Sequence, residues 1–380
     1  MLRTLAQMLA ALVRHAVLCT RYLVRSTQHS VLSTWKSVLC TQYSALGTQY
    51  SARRRCWSLV GVALALATTA NLLPAAEELT YVGYPDCIEL KNETTRVVLC
   101  PEAGGRVLVY AMNGENSLYL EEEEAGKLYV PGTTASMSAG RFDIGPEKII
   151  PRRNLLWSGK WAGEITGERS ARLTSQKDKA TGTQLIRDFV LADDSTHLAC
   201  KQTIANISDQ TTEWCHWSRT FAKGNGICVI PLTQPSRFPN NYVMYEGGDL
   251  INLRPTDPHI KTRDGFLEIT SVPKHPKLGM DSQAGWFAYL MHNDLCFVKR
   301  YRVYPDRVYN EVAGLTISIW YPEDRRVELE PIGPRERLRP GESASFTEDW
   351  WLLPHAYPKE GEQIDLRRLA KLVERDATHD

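Results

Sequence analysis

From residue 77 to residue 358 the chain consists of short apolar runs of strand length, separated by turn residues. Turn sequences such as Asn113-Gly114 and Asp193-Asp194 lie between many of these runs. No amphipathic helical pattern intervenes, which argues against a doubly wound α/β fold. The pattern therefore predicts an all-β domain over residues 77–358, folded as a large antiparallel β-sandwich. Ten runs predict its strands: 87–91, 96–100, 106–112, 184–192, 197–205, 214–221, 285–291, 295–303, 314–321 and 326–331.

Two segments depart from this pattern. Residues 231–282 are rich in Pro, Asn, Gly and Asp and show little periodicity, so they predict a long loop excursion across one end of the sheets. Near the carboxyl terminus, apolar residues recur on one helical face between charged residues. They predict a short helix and tail over residues 359–380, with an apolar face formed by Ile364, Leu369, Leu372 and Val373.

The amino-terminal segment has a different character. Residues 19–52 repeat with a period of seven, as in STQHSVL followed by STWKSVL, and most positions hold Ser, Thr or Gln. These units lack the apolar and charged pattern of a coiled coil. Residues 1–52 are therefore interpreted as a low-complexity leader, with translation from upstream of the true start as one explanation.

Residues 53–76 have the pattern of a secretory signal peptide. Three basic residues, Arg53 to Arg55, precede a short apolar run, and the small residues Ala70 and Ala76 offer two cleavage positions. An uncleaved signal anchor is the alternative, and it is the one membrane contact that the sequence predicts. Both alternatives predict export, to the periplasm or the extracellular space.

Charge is distributed unevenly along the chain. The formal net charge is +1, but the first 76 residues contain eight basic residues and no Asp or Glu, which leaves −7 on the remainder. An acidic body without clustered basic residues argues against nucleic-acid binding and favours an uncharged ligand. The sequence has no phosphate-binding loop, no GxGxxG after a strand, no HExxH and no GxSxG, and its nine His residues lack metal-ligand spacing. Neither a cofactor nor a metal is expected, and no oligomeric state is predicted.

Six cysteines follow residue 76, and none of them belongs to a CxxC pair. Cys200 and Cys215 fall within strand-like runs, where buried free thiols are common. Export would permit disulfide bonds. Cys87 with Cys100 is the first pairing to test, because these two residues flank a short hairpin-like segment.

The run 214–221 combines aromatic and polar residues, as a carbohydrate site requires. Strand alternation places Trp214 and His216 on one face and Trp217 and Arg219 on the other. The alternative interpretation is a tryptophan-rich core strand that carries a hydrogen-bonded histidine.

The run 326–331 offers a second candidate face. Val327 and Leu329 are expected to face the core, which leaves Arg326, Glu328 and Glu330 together on the opposite side. If that side is the concave side of the sandwich, Glu330 is placed to act as a carboxylate base or to bind sugar hydroxyls. If it faces solvent, the charges form an ordinary hydrated surface.

Several motifs, taken in order, resemble those of the galactose mutarotase-like proteins. They are GGR at 104–106, GENSL at 114–118, NISD at 206–209 leading to His216 and Phe221, ELEP at 328–331, and LRPGE at 338–342. The resemblance extends over about residues 80–355. It implies the supersandwich fold of that superfamily, in an exported branch.

Within that superfamily, aldose 1-epimerases interconvert sugar anomers by acid–base catalysis. The resemblance implies that His216 is the acid that protonates the ring oxygen and that Glu330 is the base that removes the anomeric hydroxyl proton. It also implies that Arg106 supports the site rather than touching substrate. The earlier His-Gly-Gly motif of the epimerases has no counterpart in this chain.

The region that corresponds to that missing motif supplies the expected substrate contacts. They are Arg141, Asp143, Trp157 and Trp161, together with Trp214 from the aromatic run. The predicted function is therefore that of an exported carbohydrate-binding protein which, if catalytic, is an isomerase of the aldose epimerase type.

Two alternatives remain open at this level. One is a non-catalytic β-sandwich that serves for binding or assembly in the cell envelope. The other, ranked lower, is a lyase or hydrolase relative, with Glu328 or Asp143 as the second carboxylate of a cleft.

Overall fold

The computed structural model describes residues 76–133, 138–247 and 250–377. These residues form two large β-sheets, two 3₁₀ turns (Glu122–Glu124 and Val312–Gly314) and two α-helices, α1 (Asn154–Ser158) and α2 (Leu366–Asp376). The strands are β1 (Ala76–Tyr81), β2 (Tyr84–Lys91), β3 (Thr95–Cys100), β4 (Arg106–Met112), β5 (Glu115–Asn116), β6 (Gly140–Gly145), β7 (Ala162–Gly167), β8 (Ser170–Thr174), β9 (Thr183–Leu191), β10 (Leu198–Asn206), β11 (Thr212–Lys223), β12 (Ile227–Pro231), β13 (Val243–Gly247), β14 (Leu250–Asn252), β15 (Ile260–Arg263), β16 (Phe266–Ile269), β17 (Lys277–Met280), β18 (Trp286–Met291), β19 (Leu295–Tyr301), β20 (Ile317–Glu323), β21 (Arg326–Leu338) and β22 (Ser343–Pro354).

The strands are divided between two sheets. Sheet A has the order β1-β2-β3-β4-β6-β11-β21-β20-β17-β13-β14, with β5 paired to β4, and sheet B has the order β15-β16-β12-β18-β19-β22-β10-β9-β8-β7. Neighbouring strands run antiparallel in both sheets. The predicted antiparallel β-sandwich is therefore confirmed, and each of the ten predicted runs contributes to a strand.

The main hydrophobic core lies between the two sheets. Alternation along each strand decides which side chains enter it: Leu185 and Phe189 come from sheet B, and Val327 and Leu329 come from sheet A. Each fully buried side chain of this size contributes roughly 1.5–3 kcal/mol relative to an exposed one. The core therefore fixes which face of β11 and β21 points away from sheet B.

The expectation of a long loop over residues 231–282 is wrong. This segment contains β13 to β17, which pair by backbone hydrogen bonds into the two sheets. Each of these strands has only three to five residues, too few for a visible alternation of apolar and polar positions. Hydrogen-bonded pairing within the two sheets stabilises them despite their polar composition.

The predicted terminal helix is confirmed as α2. Leu366, Leu369 and Val373 are buried in a second apolar cluster, against residues of sheet B such as Val298 and Trp351. The Asp365 side chain accepts a hydrogen bond of 2.9 Å from the backbone N–H of Arg368 and so caps the helix. Within the described ranges, no helix is long and apolar enough to cross a membrane.

The six cysteines of the described residues are buried free thiols. Cys200 and Cys215 thus occupy strand interiors, as predicted. The predictions for the low-complexity leader and for the signal peptide concern residues outside the described ranges, apart from Ala76.

Candidate functional site

The candidate site lies on the face of sheet A that points away from sheet B. In β21, Val327 and Leu329 enter the core, and Glu328 and Glu330 project from the opposite face, as the alternation predicted. In β6, Phe142 and Ile144 enter the core, whereas the side chains of Arg141 and Asp143 join those of the two glutamates. These charged side chains are buried rather than hydrated.

Glu328 is held as a carboxylate by two arginines. Its Oε1 accepts a 3.0 Å hydrogen bond from Nη2 of Arg141 and a 3.2 Å bond from Nε of Arg219, and its Oε2 accepts a 3.3 Å bond from Nη2 of Arg219. Burial would raise the pKa of Glu328, but Arg219 and Arg141 outweigh it, so the pKa is lowered. Glu328 therefore supplies a fixed negative charge.

Glu330 is the neighbouring carboxyl group on the same face, and its environment is different. Nε of Arg219 lies 3.1 Å from Oε1 of Glu330, but the single N–H of that atom donates to Glu328. Within the described residues, the Glu330 carboxylate accepts no hydrogen bond of ordinary geometry. Complete burial, followed by the charge of Glu328, raises the pKa of Glu330 to about 8. Two adjacent carboxyl groups with pKa values shifted apart are a common basis for acid–base chemistry.

Further ion pairs surround these glutamates at the edge of the site. Both carboxylate oxygens of Asp143 accept hydrogen bonds from Arg153, at 2.6 and 2.5 Å. Lys277 in β17 donates to the Glu147 carboxylate, and Nη1 of Arg219 lies 3.7 Å from the same group. The Arg153, Glu147 and Lys277 side chains retain partial exposure, at 13%, 32% and 17%, so solvent reaches the site from this edge.

Aromatic rings line the same face. The Arg141 guanidinium lies 3.7 Å from the centroid of Trp157 in α1, and Nζ of Lys277 lies 5.1 Å from Trp217 and 5.4 Å from Tyr245. Several buried donors have no hydrogen-bond partner among the described residues: Nε and Nη1 of Arg141, Nε1 of Trp217 and the hydroxyl of Tyr245. Buried polar groups in native proteins are nearly always hydrogen-bonded. This face therefore has the polar capacity to bind a hydroxyl-rich molecule.

The structure does not bring His216 together with Glu330. His216 lies between the sheets, where its ring stacks against Phe142 and Phe346 at centroid distances of 5.8 and 5.7 Å. Its Nε2 lies 3.2 Å from the carbonyl oxygen of Ala344 in sheet B. Glu330 projects from the other face of sheet A, so the two side chains cannot contact one sugar ring. His216 corresponds to the core histidine of the alternative interpretation.

Replacing His216 with phenylalanine is expected to make the protein less sensitive to acid. Burial lowers the pKa of His216 from 6.5 to about 3, so the unfolded state binds a proton first as the pH falls. The stability associated with the neutral ring is present above pH 6.5 and is lost progressively towards pH 3. Urea unfolding at neutral pH and near pH 4 should show about 3 kcal/mol less acid destabilisation in the variant.

The matched control is His259→Asn, because His259 is an exposed histidine on the surface of the same domain. That variant should retain the wild-type loss of stability in acid. If His216→Phe lost as much stability between neutral pH and pH 4 as the wild-type protein, that result would contradict the buried, neutral state of this ring.

Two of the three predicted tryptophan contacts also lie elsewhere. Nε1 of Trp161 donates to the carbonyl oxygen of Leu156 at 3.2 Å, and the indole ring belongs to the main core. Trp214 donates from Nε1 to the carbonyl oxygen of Thr181 at 3.0 Å and packs against the same core. Among the predicted site residues, the structure therefore brings together Glu330, Arg141 and Asp143, with Trp157 beside Arg141.

Sequence reasoning did not include Arg219, Lys277 and Tyr245 in the site. Alternation already placed Arg219 on the face opposite His216, and the charge complementarity with Glu328 and Glu330 was the signal that could have identified it. Lys277 and Tyr245 belong to the segment that was predicted as a loop, so nothing in the pattern aligned them with β21. Arg106 is buried and bonded to Tyr84 and Glu124, which agrees with a supporting role.

In the part of the chain that the structure describes, no group of three or more His, Cys, Asp or Glu side chains is arranged to hold a metal ion.

Comparison with known proteins identifies the fold. No family profile and no curated protein matches the chain. Among solved structures, the Slr1438 protein from Synechocystis sp. PCC 6803 is similar with a TM-score of 0.51 and 14% identity, over 73% of this chain and 100% of that one. A candidate aldose 1-epimerase from Escherichia coli K12 is similar with a TM-score of 0.51 and 9% identity, over 70% and 98% of the two chains. A galactose mutarotase-like protein from Lactobacillus casei ATCC 334 has a TM-score of 0.49 and 10% identity, over 70% and 100%.

The chain therefore has the galactose mutarotase-like fold, as its motifs predicted. At these identities the similarity is one of fold.

Proposed function

We propose that this protein binds a neutral carbohydrate on the outer face of sheet A and that Glu330 transfers a proton at the anomeric centre of the sugar. The observation that carries the proposal is the state of Glu330. It is a buried carboxyl group with a pKa of about 8. Among the residues that the structure describes, it accepts no well-formed hydrogen bond, and the buried donors around it have no partner. A sugar hydroxyl would satisfy both kinds of group.

The chemistry assigned to Glu330 is that of a general base. The ionised carboxylate removes the proton of the anomeric hydroxyl. At the same time the bond between the anomeric carbon and the ring oxygen breaks, and the ring oxygen gains a proton from the acid. Rotation about the adjacent carbon–carbon bond and reclosure then give the other anomer. Arg219 holds the Glu330 carboxyl in place, and the fixed charge of Glu328 raises its pKa.

The acid has to come from a different group than the one expected, because His216 lies in the core. Lys277 and Tyr245 are two side chains near Glu330 that carry a transferable proton, and both interact electrostatically with it. We assign the acid to one of these two.

A hydrolase mechanism with paired carboxylates receives less support. Glu328 and Asp143 are each engaged by arginine hydrogen bonds, so neither is available as a nucleophile or second base. The pattern of residues 53–76 supports the further proposal that the protein is exported and acts in the periplasm or outside the cell.

The test is the rate of anomer interconversion, followed by polarimetry for a panel of neutral aldoses, with ligand binding measured on the same panel by calorimetry. Glu330→Gln is expected to lower the catalysed rate by about 100-fold or more while retaining sugar binding. The wild-type rate should rise about tenfold per pH unit and level off near pH 8 as Glu330 ionises. Lys277→Met and Tyr245→Phe, compared in the same assay, identify the acid.

The matched control is Glu360→Gln, an exposed glutamate of the same domain, which should leave the rate and the affinity unchanged. Sugar binding without catalysed interconversion would contradict the catalytic part of the proposal and favour a binding module. Wild-type rates in Glu330→Gln would remove Glu330 from the mechanism.

A further inference from the structure

Cys87 and Cys100 form a pair on the outer face of sheet A, separate from the candidate site. In the ladder between β2 and β3, Ile88 pairs with Leu99, so the next position places Cys87 opposite Cys100. Ile88 and Leu99 point into the main core, and the two cysteines therefore share the opposite face. Both are completely buried in the same apolar cluster.

Opposed positions on one face place the two thiols side by side in the same apolar cluster. The neighbouring Cys100 lowers the pKa of Cys87, and Cys87 together with burial raises the pKa of Cys100. The Cys87 thiol in turn donates to the carbonyl oxygen of Tyr84 at 3.6 Å. Directly opposed residues of an antiparallel pair have Cα atoms about 4.5–5.5 Å apart. That spacing falls within the range of about 4.4–6.8 Å that a disulfide bond needs.

The other four cysteines of the described residues are not placed in this way. Cys200 and Cys228 belong to the main core, Cys215 to the cluster around Trp217, and Cys296 to the cluster beneath α2. Among the described cysteines, only Cys87 and Cys100 have pKa values that another cysteine shifts.

We propose that Cys87 and Cys100 form a cross-strand disulfide bond when the protein folds in an oxidising compartment. The oxidant is a small-molecule disulfide such as glutathione disulfide. The Cys87 thiolate attacks one of its sulfur atoms and expels one thiol, and the Cys100 thiolate then attacks the mixed disulfide and expels the second. In total, two protein thiols lose two electrons and two protons, and one disulfide molecule is reduced to two thiols.

The bond forms during folding, because in the folded protein both thiols are inaccessible. β1 covers β2 on its other edge, with Leu79 paired to Cys87, and β4 covers β3, with Arg106 paired to Cys100. Once formed, the bond would be shielded from reductants by the same strands. It would also connect the second and third strands of sheet A close to its β1 edge.

The test uses the full chain, refolded from urea with glutathione disulfide and glutathione, then alkylated under denaturing conditions without reductant. Peptide mapping should show the tryptic peptide 97–106, which carries Cys100, linked to the peptide that carries Cys87. Reduction in urea, followed by refolding in the presence of reductant, should lower the Tm of the wild-type protein by about 5 °C. The same treatment should leave the Tm of Cys87→Ala/Cys100→Ala nearly unchanged.

Cys228→Ala provides a matched control with a different buried thiol, and it should retain the linked peptides and the Tm shift. Complete alkylation of both Cys87 and Cys100 after oxidative refolding would overturn the proposal. Linkage of Cys100 to any other cysteine would overturn it as well. The peptide map reads the wild-type protein directly, so the result stands even if a cysteine variant fails to fold.

Discussion

Replacing Lys299 with methionine is expected to lower the free energy of unfolding by about 3–5 kcal/mol. Nζ of Lys299 lies between the two sheets, 2.8 Å from Oγ1 of Thr220 and 3.1 Å from Oε2 of Glu348. Both charged side chains are completely buried. Removal of the cation leaves the Glu348 carboxylate in an apolar interior without its closest counter-charge, and that is the main reason for the loss.

A second substitution separates this cause from a simple packing defect. In Lys299→Met/Glu348→Gln the buried charge is absent. The new amide oxygen can accept from Nε1 of Trp350, and the new NH2 group can donate to the amide oxygen of Gln202 once that amide flips. The double variant should therefore recover most of the lost stability, measured as the urea midpoint and slope. Lys261→Met on β15, an exposed lysine, is the control and should change stability by less than about 0.5 kcal/mol. Equal losses in the single and double variants would contradict the electrostatic explanation.

Replacing Arg219 with methionine is the second substitution with a large expected effect. Its guanidinium contacts the carboxylates of Glu328 and Glu330 directly and lies 3.6 and 3.7 Å from those of Asp143 and Glu147. The variant should lose about 3–5 kcal/mol at pH 8, because several buried carboxylates lose their shared cation. Arg219→Met should also abolish sugar binding and catalysis at the candidate site.

The pH dependence of this loss tests its origin. Without Arg219, the native pKa of Glu330 rises further above that of the unfolded chain, and the pKa of Glu328 rises because a cation that keeps it low is absent. The native state then binds more protons, so the penalty is small near pH 5 and increases as the pH rises through the native pKa values. Urea unfolding at both pH values should show this trend. The control is Arg337→Met, which removes an exposed arginine of β21 that pairs with Glu213 of β11. It should lower the free energy of unfolding by at most about 1 kcal/mol. A pH-independent loss in Arg219→Met would indicate a packing defect instead.

Much of the fold was readable from residue patterns. Strand-length runs predicted the sandwich, since alternation reflects burial of one face and depends only on neighbouring residues. The apolar face at Leu369 and Val373 predicted α2 for the same reason. The segment 231–282 was not predictable in this way, because its short strands owe their conformation to hydrogen bonds with distant strands.

The site was predictable in part. Alternation placed Glu328 and Glu330 opposite Val327 and Leu329, and it separated Arg219 from His216. It could not tell which face of β11 would pack against sheet B, because both faces mix aromatic and polar side chains. The resemblance to the epimerases implied one site for His216 and Glu330, but the two lie on opposite faces of sheet A.

The sequence by itself thus determined the antiparallel sandwich, the terminal helix and the side of β21 that carries the two glutamates, since each depends on local periodicity. Only the tertiary structure decided which groups face Glu330. Arg219 comes from β11, Lys277 from β17 and Tyr245 from β13, and sheet pairing brings them together from distant parts of the chain. Burial by the same packing raises the pKa of Glu330 and lowers that of His216, because removal from water disfavours the charged form of each side chain.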